Sequence, residues 1–189
     1  MKYKKIYTLT KQLLLSPNTT WPQVFGKNTT FTQFLRSYLF PLALILSIVV
    51  FAIYLFQRPI LYALGSSILQ LIATISSIWI TLWLCKEYLC HKLNYAKQEI
   101  LPLIGYCHAI FIIFYSIGHA FGNLFIGQIF ILLSFSFFRP LHFGIKHLKN
   151  YQIKQHSNVL IVSSIVIIFI TMMINQIIAI LFGVSVIHV

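Results

Sequence analysis

The chain has 189 residues, 59% of them hydrophobic and 8% charged, with 14 Lys and Arg against 2 acidic residues and a formal net charge of +12. A mean hydropathy of +0.86 belongs to membrane proteins, because about a quarter of the residues of a soluble globular chain carry charge. Asp is absent, and Glu87 and Glu99 are the only side-chain carboxylates, which excludes glycosidase acid pairs, aspartyl dyads and acidic Mg²⁺ or Ca²⁺ cages.

The first 37 residues read as a cytoplasmic or interfacial segment. Lys2, Lys4 and Lys5 imitate the charged start of a signal peptide, but the apolar stretch at 13–15 is too short before Ser16 and Pro17. Trp21, Phe25, Phe31, Phe34 and Tyr38 are aromatic residues suited to headgroup level. Asn18 and Asn28 stand in glycosylation patterns, which are discounted on a cytoplasmic segment.

From residue 38 the charged residues punctuate a five-span membrane domain, because an uncharged apolar run of about 20 residues is long enough to cross. The spans fall at about 38–57, 61–85, 101–117, 123–138 and 158–182. The uncharged run 100–138 would be about twice the hydrocarbon thickness as one helix, so it is expected to fold as a hairpin. Its turn is placed at 118–123, where Gly118 and Gly122 read as sources of flexibility rather than as a dimerisation motif. With five spans, thirteen of the fourteen Lys and Arg lie on one side and only Arg58 on the other. Positive-inside logic therefore predicts a cytoplasmic N-terminus, an outside C-terminus and a bacterial cytoplasmic membrane. In so apolar a chain the basic excess points to anionic lipid headgroups, not to nucleic acid.

Two connectors carry amphipathic patterns. Over 86–100, Leu89, Leu93, Ala96 and Ile100 recur at helical spacing beside Lys92 and Lys97; over 139–156, Leu141, Ile145 and Leu148 share a face beside Lys146 and Lys149. The four lysines are the candidate lipid-surface residues, though a plain solvated connector fits the pattern equally well.

Within the second span, Ser67, Gln70, Thr74, Ser77 and Thr81 lie on one helical face. That stripe predicts helix packing, with a polar solute path as the sharper alternative. Asn175 belongs to a weaker stripe in the fifth span. His108 and His119 are some 16 Å apart along a helix, too far to share a metal ion, and Cys85, Cys90 and Cys107 form no CxxC pair. No cofactor, metal site or catalytic residue is indicated.

Several segments together resemble the short bacterial form of the Yip-domain (Ypt/Rab-interacting) family of integral membrane proteins. They are LLLSPNTTWPQV with Pro17 and Trp21, YLFPLALILSIVVFAI with Pro41, KQEILPLIGYCHAIF with Gly105 and Tyr106, and the closing NVLIVSSIVIIFITMMINQIIAIL. This chain has Ile110 where the family often has proline, and without Asp it cannot carry the acidic motif of eukaryotic members, so Rab binding does not transfer. The resemblance implies an all-helical, five-span, non-enzymatic membrane protein. Membrane organisation or protein and lipid contact is the expected role, with a small-solute transporter or channel as the alternative.

Overall fold

The computed structural model describes residues 2–26, 30–93, 95–122 and 124–182, and the side chains of residues 2–5, 92 and 97 lie outside that description. The expectations placed on Asn28, on Asn123 and on the tail 183–189 fall outside the described residues. So do those placed on the side chains of Lys92 and Lys97.

The described chain is all helical. It runs α1 (Lys2–Leu15), α2 (Pro17–Phe25), α3 (Phe31–Phe34), α4 (Phe40–Leu55), α5 (Ile60–Lys86), α6 (Lys97–Phe121), α7 (Phe125–Ser134), α8 (Phe138–Lys146) and α9 (Ile153–Leu181). A π-helical turn at Leu35–Leu39 joins α3 to α4, a second extends α5 over Glu87–Lys92, and a 3-10 turn at Phe135–Phe137 joins α7 to α8. The first π turn immediately precedes Pro41, which has no N–H to continue the helical ladder.

Five stretches are long and apolar enough to cross a membrane: Phe31–Leu55, Ile60–His91, Gln98–Phe121, Phe125–Lys146 and Ile153–Leu181. They form a bundle around α6, whose most apolar stretch is 72% buried against 22% for that of α9. This follows from its neighbours and not from its apolarity, since α6 packs on α4, α5, α7, α8 and α9 while the more apolar spans Phe31–Leu55 and α9 are less buried. Lipid-facing positions fall on the outer helices, as with Ile68, Ile72, Trp79 and Trp83 of α5 and Ile161, Ile165 and Phe169 of α9.

Three local expectations change. The segment 86–100 is not one amphipathic helix: its first half prolongs α5 as a π turn and its second half opens α6, which buries Leu89 and Ile100 in the core. The fourth span is not complete at residue 138, because α7 alone, at roughly 15 Å, is about half a hydrocarbon core; the helical run reaches adequate length by continuing through α8 to Lys146. Gly118 is no turn residue. It lies inside α6, where an added Cβ would come within 2.8 Å of the Gly127 carbonyl of α7, so this glycine allows the α6–α7 hairpin to close tightly. The turn itself rests on Gly122, whose φ of +60° suits glycine.

Candidate functional site

Lys86, Lys146 and Lys149 lie at one end of the bundle, beside the starts of α4, α6 and α9, and Arg58 lies at the other, between α4 and α5. These are the basic end and the far end. At the basic end the N-terminal helices form a folded layer over the membrane helices. Ser16 separates α1 from α2, and Pro17 occupies the first turn of α2, where its missing N–H is not needed. Trp21 then points into the protein: it is fully buried and its indole N–H donates to the Pro140 carbonyl of α8 at 2.8 Å.

Around Trp21 the rings interlock. Trp21 stacks on Phe25 at 5.1 Å between centroids, and Tyr106 of α6 meets Trp21, Phe34 and Tyr38 edge to face at 6.5, 5.0 and 4.6 Å. Such geometry adds about 0.5–1.5 kcal/mol per pair beyond area burial. Glycines make the room: a Cβ on Gly105 would overlap the Phe34 ring, and one on Gly144 would overlap Leu103 and Trp21. The Tyr38 hydroxyl pairs with that of Thr10 of α1 at 2.7 Å, and Arg139 donates to the Leu15 carbonyl at 3.3 Å, where a cation suits the helix C-terminus. Of the motif residues, Pro17, Trp21, Gly105 and Tyr106 therefore belong to one assembly, whereas Pro41 stands apart at the start of α4.

Glu99 is a latch that the sequence pattern did not single out. It is buried in the first turn of α6, where a carboxylate suits the helix N-terminus, and it accepts the Lys149 backbone N–H at 3.1 Å. The Lys149 ammonium stands 4.0 Å from the same carboxylate but is largely exposed. Lys146 is exposed as well, as are Lys11, Arg36, Arg139 and Lys154. Leu141, Ile145 and Leu148 are buried on the opposite face of that connector, so α8 turns its apolar side inward and its cations outward.

The polar stripe of α5 faces the interior. Ser67, Thr74, Ser77 and Thr81 are buried, and Gln70 donates to Ser116 of α6 at 2.7 Å and to Thr74 at 3.2 Å. Ser47 of α4 donates to the Ser67 carbonyl at 2.7 Å. At the Gln70–Ser116 bond, a recess of about 50 Å³ opens between α4, α5, α6 and α9, with Tyr54, Ser66, Gln70, Ser116, His119 and Asn175 set among apolar residues such as Val50, Leu69 and Ile178 on its walls. The Ser66 hydroxyl there has no hydrogen-bond partner among the described residues. This volume has room for a few waters, and the walls hold enough donors and acceptors to bind them.

His108 is fully buried midway along α6, with Nε2 2.7 Å from the Thr171 hydroxyl, which itself donates to the Ile167 carbonyl of α9. That places the proton on Nε2 and leaves Nδ1 as an acceptor with no partner. Cys85 and Cys107 are buried free thiols, and Cys90 is a half-buried one. Among the described residues no three His, Cys, Asp or Glu side chains are grouped to hold a metal ion. The recess walls come from four helices, so periodicity along any one of them could not reveal it; polar residues in the far halves of several spans were the available signal. Comparison with family models, curated proteins and solved structures finds nothing that matches this chain.

Proposed function

We propose that the protein is a non-enzymatic integral membrane protein of the Yip-domain type, which acts by organising the membrane or docking lipid and protein partners at its basic end. On this reading it sits in a bacterial cytoplasmic membrane with the basic end and N-terminus in the cytoplasm. The observation that carries it is the α1–α2 layer locked onto α8 through Trp21 and Pro140. This builds a preformed surface whose cations, including Arg139, Lys146 and Lys149, project away from the core. An anionic membrane attracts such residues by about 1 kcal/mol each, an attraction that salt screens. Protein held in neutral-lipid nanodiscs should capture phosphatidylglycerol liposomes, and neutralising Lys92, Lys97, Lys146 and Lys149 together to Gln should lower capture by 10-fold or more, on the order expected for several surface cations. Unchanged capture at low ionic strength would overturn the lipid-surface reading.

The recess at the far end favours a second reading, a small-solute transporter or channel. Gln70 lies on its wall and donates to Thr74 one turn further along α5. Under this reading proteoliposomes pass a small neutral solute and Gln70→Leu with Thr74→Leu abolishes the flux. A sealed vesicle at all solutes tried, in protein that otherwise reconstitutes normally, would remove it.

A further inference from the structure

A further hollow belongs neither to the recess nor to the N-terminal layer. It is an apolar groove of about 210 Å³ on the outside of the bundle near the basic end, walled by Phe31, Trp79, Trp83 and Leu101, floored by Leu82 and Ile100, and bounded by Lys86. A much smaller hollow of about 10 Å³ adjoins it between α4 and α5, sharing Phe31, Trp79 and Leu82; that is space for about one water, so the groove proper ends near Trp79. Along α5 its lining positions Trp79, Leu82, Trp83 and Lys86 recur at three- and four-residue spacing, so the groove follows one helix face. From Trp79 to Lys86 it covers roughly 10 Å, within the depth of one leaflet of a hydrocarbon core about 30 Å thick.

Its chemistry changes along that length. The inner part, at Phe31, Leu82 and Ile100, is hydrocarbon. Trp83 and Trp79, both more than half exposed, stand one and two turns from Lys86, on the flank where aromatic rings favour the interface. Lys86 closes the groove with a cation, and neither carboxylate neutralises it: Glu87 lies 3.5 Å from His91, and Glu99 is engaged with Lys149. An apolar groove ending in an unneutralised ammonium has the complement of the upper part of an acyl chain joined to a phosphate.

We propose that this groove is a binding site for one anionic phospholipid, with its phosphate at Lys86 and the upper part of an acyl chain laid along α5 against Leu82 and Trp79. The site rests on the membrane-spanning, lipid-contacting reading above, but not on the α8 surface. A Lys on a flexible stem holds phosphate as a point charge, so selection is for negative charge and not for headgroup shape.

The chain supplies its own probe. Of its three tryptophans, Trp79 and Trp83 line the groove, whereas Trp21 is fully buried at the α2–α8 contact. Full-length protein reconstituted in phosphatidylcholine is titrated with phosphatidylglycerol or phosphatidylcholine brominated on the acyl chains, and tryptophan quenching is read at equal mole fraction. Brominated phosphatidylglycerol should quench with about fivefold higher apparent affinity, the effect of a single cation at an anionic surface. Lys86→Gln should bring the two lipids level, whereas Lys86→Arg should retain the preference. Lys146→Gln with Lys149→Gln should leave it intact even if liposome capture is lost, which separates failure of this site from failure of the α8 surface. Equal quenching by the two lipids in the unmodified protein, meaning ordinary surrounding lipid only, overturns the proposal, and so does a preference that survives Lys86→Gln.

Discussion

The two ends of the bundle solve the same packing problem in opposite ways. At the basic end, Trp21, Phe34 and Tyr38 are at most 3% exposed, and the glycines beside them are filled by neighbouring rings. At the far end four helices leave a recess whose largely apolar walls carry several hydroxyl, amide and imidazole groups. Large rings with fixed geometry interdigitate and exclude water. Short polar side chains between helices satisfy one another pairwise and leave residual space that water or a small solute can occupy. The basic end is thus tightly packed beneath a charged surface, whereas the far end keeps a small hollow.

The sharpest way to break this contrast is at Trp21. Trp21→Ala should cost about 3–5 kcal/mol, as for other buried aromatic truncations, and should free α1 and α2 to proteolysis. Trp21→Phe keeps most of the ring but leaves the Pro140 carbonyl without its indole donor, so a smaller loss of about 1–3 kcal/mol is expected. Both are read by thermal unfolding in detergent and by limited proteolysis. If Trp21→Ala left proteolysis unchanged, the locked layer would not exist. Next comes Gly105→Val, which drives a branched side chain into the Phe34 ring and should cost about 1–3 kcal/mol by overpacking. The smallest effect belongs to the far end. Gln70→Leu removes the bond to Ser116 and should cost less than about 1 kcal/mol, since hydrogen bonds between membrane helices are individually weak. A loss as large as that of Trp21→Ala would erase the distinction between the ends.

Much of the fold is legible from local patterns. The Ser67, Gln70, Thr74, Ser77 and Thr81 stripe is turned inward in the structure, while Ile68, Ile72, Trp79 and Trp83 face outward, because helical periodicity alone decides which residues share a face. Leu141, Ile145 and Leu148 were readable for the same reason. The segment 86–100 was not, because Leu89 and Ile100 keep helical spacing although the π turn ends at Lys92 and α6 begins only at Lys97, with no proline or glycine between them to mark the change. Tyr54, Ser66 and His119 gave no pattern of their own; they belong to three helices and meet only when those helices pack.

The sequence by itself determined that the chain is helical and membrane-embedded, that it has five segments able to cross, and that its cations gather on one side of them. Those properties follow from segment length, hydropathy and charge, each of which is local. Only the tertiary structure decided that α6 is the central helix, that α8 folds beneath α2 with Trp21 between them, that Glu99 latches the α8–α9 connector, and that Lys86 stands at the end of a groove. Each of these depends on which faces of distant helices meet, and that is settled by close fit at particular positions, such as Gly105 against the Phe34 ring and Gly118 against the Gly127 backbone, because hydrophobicity in a membrane does not distinguish a helix neighbour from lipid.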